Sequence, residues 1–225
     1  GPLTGTPIGS SRMSVTTKSP KTGFINDHNF GGMFPAEFKF AGYEALIIQG
    51  CSEDPVYIFI DGDEVSIRSA RHLWGMTTSD THRAILKELK DPSVKVLCIG
   101  PAGENQCINA VMVSDLYHTV GRGATGCVMG QKKIKAIVVR GNQKIKIADS
   151  ERYMNAYKEF WKELSPEDCI DLFHRPWGMV GSVFATDYIR SIGGLLSKND
   201  QLWDKEYCYK NIGTSQTRDY IVRPQ

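Results

Sequence analysis

The 225-residue chain has no two cysteines closer than Cys98 and Cys107, nine positions apart. With the six cysteines spread over 51, 98, 107, 127, 169 and 208, no C-x-x-C pair is available for zinc, iron–sulfur or thioredoxin chemistry within these residues. Scattered thiols fit a reducing compartment, and Cys98 and Cys127 sit in apolar runs that read as buried positions. No apolar run approaches the roughly 18 residues of a membrane span, and no signal peptide opens the chain, so the expected location is cytoplasmic. The five histidines, His28, His72, His82, His118 and His174, form no i, i+4 pair around an acid, which removes a helical zinc site. Charge of one sign is missing too. Against 25 acidic residues stand 27 basic ones, a net +2 that gives no field for nucleic acid. The short Lys132-Lys133-Ile134-Lys135 cluster is expected at a solvated strand edge. G-x-S-x-G elbows, P-loops and paired-carboxylate motifs are likewise absent.

What remains is globular in composition, 41% hydrophobic and 23% charged, enough for a real core. The length suits one large or two modest domains at about 100–200 residues each. Residues 56–68, VYIFI-DGD-EVSIR, read as a hairpin around Gly62. Met13–Thr17 alternates like a strand, as do Val94–Ile99, INAVMV (108–113) and KIKAIVVRG (133–141). Residues 36–50 suggest a turn into a buried strand. A helix is expected after Trp74, capped by Thr78 or Ser79, with Ala84, Ile85, Leu86 and Leu89 inward and Pro92 past its end. Composition shifts near Asp149-Ser150. Beyond it, ERYMNAYKEFWKEL carries apolar residues at helical spacing, and a second helix is expected over 178–194. A β-rich unit, 1–148, thus precedes the start of a helical one, 149–225, an α+β arrangement.

Glycine is the residue in local excess. HTVGRGATGCVMGQKK (118–133) has four glycines in ten positions, each destabilising in a helix or strand interior by about 0.5–1 kcal/mol relative to alanine. Gly121–Gly126 spells G-x-G-x-x-G, but a dinucleotide fingerprint needs a helix to follow, and the next element expected here is a strand. Bare N–H groups with Arg122 could still cradle an anion. His118 directly precedes this loop. A second candidate is Asn29-Phe30-Gly31-Gly32-Met33-Phe34, where paired glycines suggest close approach of a bulky group, or an ordinary turn. Arg12 is a lone cation on a polar loop, and Pro101–Asn105 is a turn first and a binding loop second.

Six blocks in order, GPLTGT (1–6), TKSPKTGF (17–24), NFGGMFPAEFKFAGY (29–43), VYIFIDGDEVSIRSARHLWG (56–75), IGPAGEN (99–105) and GRGATGCVMGQKKIKAIVVRG (121–141), resemble the N-terminal part of tungsten-containing aldehyde ferredoxin oxidoreductases. The active-site subunit of tungsten-dependent benzoyl-CoA reductase is similar in plan. The resemblance runs in register over 1–150 and weakens afterwards.

It implies a β-sheet platform under two pterin dithiolenes that chelate tungsten, or molybdenum, with a Mg²⁺ ion joining their phosphates. Carried over, the Mg²⁺ carbonyls would belong to Asn29 and Thr119. Gly31, beside Gly32, would approach the pterin, and Arg12 would neutralise phosphate. His118, Gly121 and Arg122 would complete the second loop. The aldehyde enzymes carry arginine at the His118 position and alanine at Thr119, and a small residue where Phe30 stands, which marks a divergent subfamily. The resemblance further implies that Gly1-Pro2 follows an N-terminal segment. Downstream of Gln225 would lie the 4Fe-4S cysteines, later pterin motifs and the acid and histidine near the metal. The parent would be an oxidoreductase for an aldehyde, carboxylate or acyl-thioester, with ferredoxin or a redox partner subunit and room for a homo-oligomer. No catalytic group is expected in residues 1–225. The alternative is a non-catalytic truncated platform used in assembly.

Overall fold

β-Branched Val15, Thr16 and Thr17 and a turn at Pro20–Gly23 produce the first two strands, Met13–Lys18 (β1) and Ile25–Phe30 (β2), which pair antiparallel as a separate ribbon. In this computed structural model, residues 1–6 and 10–164 are described. The helix expected over 178–194 lies outside them. The chain divides into two units, Gly1–Ala148 and Asp149–Gln225.

After the ribbon, the first unit runs through helix Phe34–Phe40 (α1), hairpin Val56–Asp61 (β3) and Glu64–Ser69 (β4), and helix Thr78–Leu89 (α2). It continues with strand Lys95–Cys98 (β5), helix Pro101–Glu104 (α3), and short strands Met112–Ser114 (β6) and His118–Val120 (β7). Helix Thr125–Gln131 (α4) and strand Ile134–Arg140 (β8) complete it. The six strands β3–β8 form one sheet in the order β4-β3-β8-β5-β6-β7. β8 is central, parallel to β3 and antiparallel to β5. Apolar side chains cover both faces. Phe34, Phe38, Ile60, Leu97 and Val139 fill one, and Tyr57, Leu73, Ile85, Val96 and Val138 the other. At about 1.5–3 kcal/mol per buried large side chain, these two layers set the fold. In the second unit, Ser150–Leu164 (α5) starts where the Asp149 carboxylate accepts the Arg152 N–H, an N-cap.

The hairpin, β1, β5, β8, α2 and α5 form where expected; several neighbours do not. Residues 36–50 contain no strand. Pro35 sits in the first turn of α1, where its missing N–H costs nothing, and residues 44–50 are irregular, with Ile47 82% exposed. Helix α2 is capped by Thr77, whose hydroxyl accepts the Asp80 N–H at 3.2 Å, one residue before the expected cap. Lys135 is not at a solvated edge. It is fully buried at a register shift where Val56 faces Ile134 and Tyr57 faces Ala136. Its ammonium is ion-paired with Glu104 and donates to the Met76 carbonyl at 2.8 Å. Glu104 in turn accepts the Gly75 N–H at 2.8 Å. Pro101–Glu104 is therefore a helical turn fastened to the sheet by a buried carboxylate.

Gly126 lies inside a helix, α4, that begins at Thr125, and the expected strand comes only at Ile134. The dinucleotide reading still fails, on topology. β7 runs antiparallel to β6, β6 to β5 and β5 to β8, so β7 and β8 are antiparallel and β7-α4-β8 is not a parallel β-α-β crossover. Among the described residues no helix is long and apolar enough to cross a membrane.

Candidate functional site: two glycine segments that meet

Period-two alternation in β2 sends Asn26, His28 and Phe30 to the less exposed side and Ile25, Asp27 and Asn29 outward. Phe30 is 2% exposed and lies 6.1 Å, centroid to centroid, from Phe34. The aromatic residue that interrupts the Asn-Gly-Gly run is thus a core anchor. It leaves Gly31 and Gly32 at the surface of that core. Gly32 has φ +94°, and a Cβ there would stand 2.6 Å from the His118 ring. A Cβ on Gly31 would lie 3.7 Å from the Arg12 guanidinium. The Ser11 hydroxyl donates to the Gly32 carbonyl, which ties the Arg12 segment to the same turn.

The second segment arrives from β7. The Gly121 N–H donates to His28 Nε2 at 3.2 Å, and Asn26 Nδ2 donates to the Arg122 carbonyl at 3.2 Å. Gly123, at φ +80°, lies against Asn26, where any Cβ would fall within 2.0 Å of the amide. The two glycine segments, one from the ribbon and one from the six-stranded sheet, therefore meet.

The glycines of 118–133 divide by task. A Cβ on Gly126 would strike the Val111 carbonyl at 2.6 Å, and one on Gly130 the Gly103 carbonyl at 1.8 Å. Those two let α4 pack closely against α3 and the chain before β6. Gly121 is different. Its nearest neighbour to a Cβ would be Thr119 Oγ1 at 3.7 Å, an ordinary contact.

All eight candidate residues lie on these segments or beside them. His118, Thr119, Gly121 and Arg122 are exposed, and Thr119 pairs with Val113 in the β6–β7 ladder. Asn29 is exposed, its side-chain oxygen accepting the Ser14 hydroxyl at 2.6 Å. Arg12 is exposed as well. Neither Arg12 nor Arg122 joins an ion pair among the described residues, so both guanidiniums are available to an anion. Among the described residues no group of three or more His, Cys, Asp or Glu side chains is placed to hold a metal ion. A hard cation here would have to draw on main-chain carbonyls and ligand oxygens. A cavity of about 1280 Å³ is lined by Arg12, Asn29, Val15, Phe34 and Met112, while His118–Arg122 stand outside its lining. It borders the candidate site on one side only.

Asp115 was not visible as a site residue in the sequence. In the β6–β7 turn, at φ 49° with Leu116 at 72°, its carboxylate accepts the Phe34 N–H at 3.0 Å and the Val96 N–H at 3.3 Å. One side chain thereby ties the turn that leads into His118 to the first residue of α1, just past Gly32. The available signal was aspartate's tolerance of the left-handed region in turns.

Residues 1–141 match the family described as "Aldehyde ferredoxin oxidoreductase, N-terminal domain". The tungsten-containing aldehyde ferredoxin oxidoreductase of Thermococcus kodakarensis is 41% identical over 227 residues, covering 100% of this chain and 37% of the relative. A Pyrococcus furiosus protein named "Aliphatic sulfonate oxidoreductase, WOR-like subunit" is 32% identical over 222 residues, covering 92% of this chain and 34% of the relative. Among solved structures, the active-site complex BamBC of benzoyl coenzyme A reductase in complex with 1,5-dienoyl-CoA matches with a TM-score of 0.68 and 36% identity, over 76% of this chain and 27% of that one. The chain spans little more than a third of the length of the curated relatives it matches. With the family match reaching from the first residue to the end of β8, the chain belongs to the aldehyde ferredoxin oxidoreductase family, in its N-terminal domain.

Proposed function

We propose that residues 1–148 form the phosphate-side platform of a tungsten bis-pterin cofactor in a larger oxidoreductase. Arg12 and Arg122 would balance phosphate charge. The main-chain carbonyls of Asn29 and Thr119 would offer oxygen to a Mg²⁺ ion shared with the phosphates. Gly31 and Gly32 would admit the pterin, with His118 at their side. The group itself would supply the redox chemistry at an aldehyde, carboxylate or acyl-thioester carbon. The protein's part in this chain is to bind, orient and compensate charge, while the electron acceptor, ferredoxin or a partner redox subunit, and a 4Fe-4S cluster belong to the rest of the enzyme.

The observation that carries the reading is steric. Gly31 and Gly121 lie on meeting segments, outside the left-handed region, and a Cβ on either would meet only ordinary contacts of 3.5 Å or more. The fold does not require them to be bare; a ligand against the main chain does. Two unpaired arginines beside them make that ligand an anion.

The test follows from the same sterics. In the full-length enzyme purified without oxygen, Gly121→Val should keep its melting temperature and lose most of its tungsten and magnesium by elemental analysis. Arg12→Ala should lower both about tenfold, the scale of one charge-assisted phosphate contact. Full tungsten content in both variants would end the assignment. The same measurement on unaltered protein decides between tungsten and molybdenum.

A further inference from the structure

The Gly121 N–H is the group in the second segment most naturally offered to an anion, yet it already has a partner in His28. The other side of the same peptide is held as well. The Val120 carbonyl accepts the Thr125 hydroxyl at 2.9 Å, and Thr125 is 1% exposed. A peptide group is rigid and planar, so a partner on its oxygen and another on its nitrogen fix its rotation completely. The plane between Val120 and Gly121 is locked, and it joins Thr119 and Arg122 on either side.

The lock comes from the other sheet. His28 projects from β2, in the ribbon, which shares no strand pairing with the six-stranded sheet. Among the described residues two hydrogen bonds join β2 to the glycine loop, His28 to Gly121 and Asn26 to Arg122. Asn26 and His28 are two positions apart and so share one face of the strand. Both read main-chain atoms. Acceptance of an N–H requires the lone pair of Nε2, so the ring proton of His28 sits on Nδ1. Alanine at 28 would abolish this bond, and glutamine, whose terminal oxygen reaches to the same place as Nε2, would preserve it.

We propose that His28 is a positioning residue of the candidate site: it holds the Val120–Gly121 peptide, and through it sets how the Thr119 main chain and Arg122 are presented to the ligand. This rests on the platform reading above for the identity of the ligand, not for the hydrogen bond. It also gives the ribbon a task, since it would carry Asn29 and Gly31 and hold the opposing segment in register with them.

Three single variants of the full-length protein separate the possibilities: His28→Ala, His28→Gln and Arg12→Ala. Amide exchange of the segment 119–123 and tungsten per chain are measured for each. In His28→Ala exchange should rise about tenfold, the loss of one hydrogen bond, and tungsten content should fall several-fold. His28→Gln should return both to near the unaltered values, a rescue that generic loss of packing would not give. Unchanged exchange in His28→Ala, or a glutamine variant as impaired as alanine, overturns the proposal. Raised exchange with full tungsten content overturns its link to the site. Arg12→Ala leaves the His28 bond intact, so full tungsten there, together with full tungsten in Gly121→Val, removes the cofactor reading while the His28 exchange result stands.

Discussion

His82 sits on α2 with its Nδ1 buried and without a hydrogen-bond partner in the structure. Burial pushes its imidazole below the ordinary value of 6.5, with Lys95 and Arg83 adding to the effect and Asp115 opposing it. Below 6.5 the unfolded chain therefore binds a proton that the folded chain refuses, and stability falls as pH falls until the folded group also titrates. Melting temperatures should drop between about pH 7 and pH 5, and His82→Gln should flatten that part of the profile. An unchanged slope in the variant would assign the acid sensitivity elsewhere. Cys98 stands at the opposite extreme. Burial raises its thiol to about 12, so it is inert at neutral pH, consistent with its place in an apolar strand.

At the scale of elements, the buried pair between Lys135 and Glu104 joins the central strand to a single helical turn. Removing one partner of such a pair strands a charge away from water. Lys135→Met should cost about 3–5 kcal/mol by denaturant titration, and adding Glu104→Gln should recover part of it. A cost below 1 kcal/mol, roughly that of an exposed pair, would contradict the burial.

This pair also shows what the sequence withheld. β8 was readable as a strand because Ile, Val and Ala fill it on both faces, but the one lysine in it looked like an edge signal. Only the three-dimensional neighbourhood supplies Glu104 and Met76. The hairpin 56–69 was readable because alternation and an Asp-Gly turn agree. α4 was not, because its glycines oppose a helix locally, and what offsets them is close approach to Gly103 and Val111, distant in the chain. The two candidate segments could be picked out by their glycines. Their meeting, and the roles of Asn26 and His28, depend on how a separate ribbon docks, and those of Asp115 and Thr125 on tertiary contacts to Phe34, Val96 and Val120, which no local pattern records.

On the scale of the whole first unit, fold and candidate site are coupled through Asp115. It reaches α1 and β5 from the turn that precedes β7. Asp115→Asn keeps the shape but replaces one acceptor by a donor facing an N–H. It should cost about 1–3 kcal/mol of stability, read as a lower denaturation midpoint. It should also raise exchange at both Gly31–Phe34 and His118–Arg122 together. Independent changes in the two segments would mean that they are not mechanically linked.

The ribbon's lack of strand pairing to the larger sheet has a consequence for how such an enzyme matures. A two-stranded hairpin is marginal alone, and this one is moored largely by side chains. A ligand that gripped both glycine segments would act as a second staple beside the Phe30 anchor, so binding energy would be converted into firmer docking of the ribbon. Insertion of the metal group would then be the event that finishes folding at this edge, and the unloaded enzyme would be most vulnerable to proteases between Ser10 and Met33.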